Sequence, residues 1–227
     1  MNCGSLAGRE DDLCQLVLGD DVWGSRFLGE SRVQLEDDYG VVYLASAGSL
    51  THGHTLLVTP HHDFSLHSYF GGAANMVTFL NSALVSLERI FGPGVIFEHG
   101  LSKRTKGRAC GVVHSHAHFL PISDQTFPPA LGLPGRHLDS VEYSEYLAWF
   151  NGDLRIAATD GVFESQSLRK LVAERLGTHD WNWREAPHSS SASWTNAELS
   201  QVARLGRGRR PVSRLDWVRD RGGIVTY

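Results

Sequence analysis

Apolar runs bounded by turn residues predict several short β-strands in the first half of the chain. Asp37–Gly40 interrupts the segment Ser31–Ser46 at a turn, which predicts a hairpin of two strands. The apolar run Leu56–Val58 predicts another strand, and Pro60 ends it because proline cannot donate a hydrogen bond to a neighbouring strand. Val95–Gly100 predicts a further strand.

A longer apolar period predicts one main helix between these strands. Within Gly72–Phe91, apolar residues recur three or four positions apart, which is the spacing of a helix with one buried face. The sequence "GPG" at Gly92–Gly94 ends this helix. Together with the strands, it predicts an α+β fold.

The pattern changes after Ile122, and this change predicts two units, residues 1–125 and 126–227. The second unit is predicted to begin with a loop at Pro128–Gly135 and a helix at Ser140–Phe150. A short strand at Leu154–Ala158 and a second helix at Ser165–Gly177 are predicted to follow. It ends in a basic tail, Arg204–Arg221, with seven arginines. Such a tail is typical of a solvated terminus, and contact with phosphate or nucleic acid is the alternative.

Composition narrows the class of protein. Of the 227 residues, 41% are hydrophobic and 20% are charged, which is the balance of a globular protein. The net charge of −4 argues against a general nucleic-acid binder. No apolar run approaches the ~20 residues that cross a bilayer, and the N-terminus lacks the order of a signal peptide. We therefore expect a cytoplasmic protein that does not bind membranes.

Three of the 12 histidines alternate in the apolar stretch "GVVHSHAHFLPI". They are His114, His116 and His118, and a β-strand would place all three on one face. Burying imidazoles is costly unless each is hydrogen-bonded, bound to metal or tuned for chemistry. The cluster therefore indicates a functional site.

The segment "HSHAHFL" resembles the HxHxHxx signature of the histidine triad family, with a serine at the first x position. Upstream, "HGHTLLVTPHH" looks like the same family's "PGHxLVIPxxH" strand, and the resemblance extends from Arg32 to Ile122. It implies an α+β fold, a five-stranded antiparallel sheet with one main helix, and a homodimer. To this core the chain would add the C-terminal α/β extension, residues 126–227. Family members hydrolyse or transfer nucleoside monophosphates from phosphoramidates, dinucleoside polyphosphates or other nucleotide conjugates.

The resemblance also implies roles for individual residues. His116 would be the nucleophile that forms a phosphohistidine, with His114, His118 and His54 beside it. Glu98, in the "FEHG" segment near the end of its strand, would face the phosphate.

Further candidates for substrate binding come from two other segments. Arg108 belongs to the basic loop Leu101–Ala109, and the backbone of Cys110 and Gly111 could cradle an oxyanion. Gln166 lies in "SQSLRK", a segment similar to one that follows the triad in a long-chain subgroup of the family.

Gly111 is also a departure from the family pattern. It stands three residues before the first histidine, where many hydrolases of the family carry a serine or threonine that helps to protonate the leaving group. The glycine therefore favours transfer to an acceptor, or a substrate with a better leaving group, over hydrolysis of a poor leaving group.

No cofactor is expected, although a zinc site is an alternative. The chain contains three cysteines and no CxxC pair. Asp11, Cys14 and one of His61 or His62 could combine with a triad histidine to hold zinc, but such mixed sites are uncommon.

Two other functions stay open. The alternating histidines could be ligands of a metal-dependent enzyme. The chain could instead be a nucleotide-binding sensor without turnover, which the glycine at position 111 would suit.

Overall fold

A computed structural model describes residues 13, 39–46, 48–102, 113–123, 143–159, 163, 166–179, 181–182 and 195–205. These residues form six strands, β1 (Val42–Ala45), β2 (Thr55–Val58), β3 (Val95–Leu101), β4 (His116–Leu120), β5 (Glu145–Phe150) and β6 (Leu154–Thr159). They also form four helices, α1 (Leu66–Phe70), α2 (Ala73–Phe91), α3 (Ser167–Leu176) and α4 (Asn196–Leu205). The α+β class predicted from the sequence is therefore confirmed.

The strands form one antiparallel sheet in the order β1-β2-β4-β3-β5-β6. The histidine strand β4 lies near its centre, between β2 and β3. The resemblance implied five strands in residues 1–125, where the described residues contribute four, β1–β4; β5 and β6 lie in the segment predicted as the extension. The first strand of the predicted Ser31–Ser46 hairpin lies outside the described residues, while β1 confirms the second.

Strand β5 corrects the prediction of a helix at Ser140–Phe150. The aromatic residues Tyr143, Tyr146 and Trp149 are three apart, which imitates the period of a helix. The segment instead pairs with β3 and β6, and every residue of β5 is buried. A strand covered on both faces loses the alternation that normally identifies it.

The main helix α2 covers one face of the sheet. It ends at Phe91, as predicted, and buries side chains that include Met76, Phe79 and Leu87. These pack against sheet residues such as Phe119 and Phe150. We call this side of the sheet the α2 face.

The opposite side carries a smaller cluster. Val95, Phe97 and Trp149 pack there against Leu168 and Val172 of α3. We call this side the histidine face. Strands β5 and β6 continue the sheet of β1–β4, so segments from both sides of residue 125 contribute to one sheet. The division into two domains stays a prediction.

Among the described residues, no helix has both the length and the apolar character needed to cross a membrane.

Candidate functional site

The strand register places two of the three histidines on the histidine face. His116 pairs with Val58 and His118 with Leu56 across β2. On the other side His118 pairs with Phe97, whose ring stacks on its imidazole with centroids 4.7 Å apart. The two imidazoles of β4 are neighbours, with centroids 5.2 Å apart, so the predicted alternation holds for this pair.

His114 precedes β4 and is almost completely buried. Its Nε2 lies 2.6 Å from the carbonyl oxygen of Thr59. Because a carbonyl can only accept, this nitrogen carries a proton and donates. His114 thereby ties the segment before β4 to the end of β2.

His116 is oriented by the backbone of that same segment. Its Nδ1 lies 2.9 Å from the carbonyl oxygen of His114, so Nδ1 carries the proton in a neutral ring. The other ring nitrogen, Nε2, then carries a lone pair. This is the tautomer that a nucleophilic imidazole requires.

His54 fixes the complementary tautomer of His118. The backbone N–H of Leu50 donates to His54 Nδ1 over 3.1 Å, which leaves the ring proton on Nε2. His54 Nε2 then donates to His118 Nδ1, 2.9 Å away. The only ring proton of neutral His118 is consequently on Nε2, where it can act as a hydrogen-bond donor.

Burial keeps this pair of imidazoles neutral. The pKa of His54 and that of His118 are both held well below the usual value of 6.5, chiefly because both rings are buried. Repulsion from the Arg169 guanidinium lowers both further, and the other two imidazoles contribute at His118. The tautomers deduced for His54 and His118 are therefore those populated near neutral pH.

Arg169 is a buried cation on α3. Its guanidinium donates to the carbonyl oxygens of Gly48 and Trp181, and burial lowers its pKa to about 10. It joins α3 to the loop before β2. The sequence makes Arg169 a polar candidate beside Gln166 in "SQSLRK", but nothing in a helical arginine distinguishes a buried one from a solvated one.

Glu98 lies on the α2 face, not on the histidine face. It pairs with Ala117 and Ala148, whose side chains belong to the α2 core. Its Oε1 accepts from the backbone N–H of Leu66 over 2.7 Å, and its Oε2 accepts from the Tyr146 hydroxyl. The expectation that Glu98 faces the phosphate alongside the histidines is therefore corrected, because its neighbour Phe97 takes that side.

Gln166 caps the N-terminus of α3 with a left-handed backbone, at φ 59° and ψ 22°. Its Oε1 is buried and has no hydrogen-bond partner in the part of the chain that the structure describes. Arg108, Cys110 and Gly111 lie outside the described residues, so the structure does not place them relative to the histidines.

The zinc alternative depends on residues that are only partly described. Asp11 and Cys14 lie outside the described residues, whereas His61 is exposed and His62 is buried beside His114, with ring centroids 5.4 Å apart. Within the described ranges, no group of three His, Cys, Asp or Glu side chains could hold a metal ion.

One buried pair on the histidine face was not predicted. His99 Nε2 lies 2.9 Å from Glu145 Oε2, and both side chains are almost fully buried. The sequence signal was the histidine of "FEHG", two residues after Phe97 and so on the same face of β3. The partner was missed because Glu145 fell in the segment mistaken for a helix.

No family model and no curated protein matches this chain. Evidence for a function therefore comes from the side chains of the site.

Proposed function

We propose that this chain is a histidine-triad-like nucleotidyl hydrolase or transferase in which His116 attacks the α-phosphate of a nucleotide conjugate. The substrate class is a phosphoramidate, a dinucleoside polyphosphate or a nucleotidylated small molecule. The motif resemblance suggests this class and a homodimeric enzyme.

The main support is the pair of opposite tautomers on neighbouring imidazoles. His116 has its proton on Nδ1, held by the carbonyl of His114, so Nε2 has the lone pair. His118 has its proton on Nε2, because His54 donates to its Nδ1. One histidine face thus combines a nucleophilic nitrogen with a hydrogen-bond donor, the two groups that phosphoryl transfer needs.

The first chemical step forms a covalent intermediate. His116 Nε2 bonds to phosphorus as the bond from phosphorus to the leaving group breaks, and the leaving group departs with its electron pair. The imidazole that results is positively charged, and the carbonyl of His114 stabilises it through Nδ1–H. His118 Nε2–H donates to a nonbridging oxygen and offsets the charge of the phosphoryl group.

The second step transfers the nucleotidyl group to an acceptor, either water or another hydroxyl or phosphate. The acceptor oxygen bonds to phosphorus, the bond between phosphorus and nitrogen breaks, and His116 recovers its lone pair. Splitting one displacement into two lowers each barrier.

The experiment that tests this proposal is turnover of an adenosine phosphoramidate and of a dinucleoside polyphosphate by the full chain and by His116→Ala. We expect turnover by the parent chain and loss of at least 10³-fold in the variant, as for removal of a nucleophile. His179→Ala, which removes an exposed histidine, is the matched control.

The same assay separates the alternatives. If the purified protein contains stoichiometric zinc or iron, and a chelator removes the metal and the activity together, the result would support the metal-dependent enzyme. Nucleotide binding without any turnover would support the sensor.

A further inference from the structure

A further buried imidazole lies on the histidine face, paired with a carboxylate. His99 of β3 and Glu145 of β5 approach within 2.9 Å, and their side chains are 7% and 0% exposed, respectively. The ring of His99 also contacts Phe163 edge-on, with centroids 5.8 Å apart.

The register puts this pair on the same face of the sheet as the proposed nucleophile. In β3, Phe97 pairs with His118 and Glu98 with Ala117. Among the described residues this pairing ends at Glu98 and Ala117, and on its other side His99 pairs with Leu147 of β5. Since His99 is two residues from Phe97, its side chain projects to the same face as the two β4 imidazoles.

Glu145 is a carboxylate whose burial needs an explanation. Its Oε2 accepts from His99 Nε2 and from the backbone N–H of Phe163, each over 2.9 Å. Its Oε1 is buried and has no hydrogen-bond partner among the residues described. Burying a carboxylate with half of its acceptors unused destabilises a fold, so such groups are more typical of functional sites than of packing.

The carboxylate also determines which nitrogen of His99 can react. A carboxylate oxygen only accepts, so His99 Nε2 carries the proton of the neutral ring, and Nδ1 carries the lone pair. Burial lowers the pKa of His99, against the opposing effect of Glu145, so near neutral pH the ring is in its neutral form, which is the form that a base requires. An imidazole backed by a buried carboxylate is the arrangement that serves as a general base in hydrolases, because the carboxylate stabilises the imidazolium that forms.

We propose that His99, oriented by Glu145, is the general base that activates the acceptor in the second step, an inference that rests on the nucleotidyl-transfer function proposed above. The acceptor O–H gives its proton to His99 Nδ1 as its oxygen bonds to phosphorus and the bond to His116 Nε2 breaks. The proton on His99 then passes to solvent or to the next leaving group, which completes the cycle.

This assignment supplies a proton-transfer group where the motif lacks one. Position 111, which bears a hydroxyl in many hydrolases resembling this chain, is glycine. A base on β3 acts from the sheet itself and does not depend on that loop position. His99 is thus the catalytic residue for the acceptor, and Glu145 is a positioning residue.

The test separates formation from decay of the covalent intermediate. His99→Gln and the parent chain are mixed with an adenosine phosphoramidate labelled in the adenosine, and the protein-bound label is followed by rapid quench. We expect the adduct to form within about threefold of the parent rate and to decay about 10²-fold more slowly or worse, the usual contribution of a general base. His179→Gln, at an exposed histidine, is the control and should change neither rate.

Two companion variants test the role of Glu145. Glu145→Gln should also slow decay more than formation, and Glu145→Asp should recover part of the decay rate because it keeps the negative charge. A purely structural role would lower both rates together, or lower the amount of folded protein without changing either rate.

The outcomes distinguish the two proposals. Two results in His99→Gln would overturn the role of His99 and leave the role of His116 untouched. The adduct would decay at the parent rate, or it would form more slowly and decay normally. Absence of any adduct in the parent chain and in both His99 and Glu145 variants would overturn the proposed function, and with it this inference.

Discussion

The fold should lose stability as pH rises because of one buried carboxyl group, Glu98. Burial raises the pKa of Glu98 from 4.5 to about 7, although hydrogen bonds from Tyr146, Leu66 and Ser115 oppose the rise. A folded-state pKa above the unfolded value means that the folded chain holds this proton more tightly. The stabilisation is therefore complete below pH 4.5 and is lost as pH rises through about 7.

The magnitude follows from the two pKa values. The interval from 4.5 to about 7 corresponds to about 3 kcal/mol at ~1.4 kcal/mol for each pKa unit. Glu98→Gln keeps the shape of the side chain and an acceptor for the Leu66 N–H, but it cannot ionise. The free energy of unfolding of this variant, minus that of the parent, should rise by about 3 kcal/mol between pH 4.5 and pH 8.

The assay is urea unfolding of both proteins across this pH range. The contributions of the other titrating groups cancel when the free energy of unfolding of the parent is subtracted from that of the variant. Tyr146→Phe is the companion variant, because it removes a hydroxyl that lowers the pKa of Glu98. In that variant the loss of stability should shift to higher pH. A difference between Glu98→Gln and parent that is constant to within 1 kcal/mol would refute the reasoning.

Two other substitutions test the packing and the tautomers of the site. Gly100→Ala should destabilise the fold by about 1–3 kcal/mol in thermal or urea unfolding, because the added Cβ would lie 2.2 Å from the ring of Tyr146. An unchanged stability would contradict this packing. His54→Phe should leave His118 Nδ1 without its donor, at a cost of about 1–3 kcal/mol. Histidine ¹⁵N chemical shifts should then show His118 as a mixture of tautomers. A ring still protonated only on Nε2 would contradict the claim that His54 fixes the tautomer of His118.

The sequence predicted the parts of the fold that have a clear period. The apolar spacing of Gly72–Phe91 marks a helix with one buried face, and α2 occupies that segment. The alternation of His116 and His118 correctly predicted a strand, because a strand places residues two apart on one face. The run Leu56–Val58 lies within β2.

The rest depended on contacts between distant segments. The α2-face position of Glu98 depends on the register of β3 against β4, which local sequence does not specify. The hydrogen bond between His54 and His118 joins residues 64 positions apart. Glu145 could not be matched with His99 because a strand buried on both faces has no alternation to reveal it.

The most direct test of the account is to locate the nucleotidyl group on the protein. After brief reaction with an adenosine phosphoramidate and quenching under alkaline conditions, the full chain is digested and its peptides are mapped by mass spectrometry. The opposite tautomers of His116 and His118 predict one adenylyl group on His116 Nε2, lost on acid treatment and absent from His116→Ala. An adduct on another side chain, or undiminished turnover by His116→Ala, would contradict it.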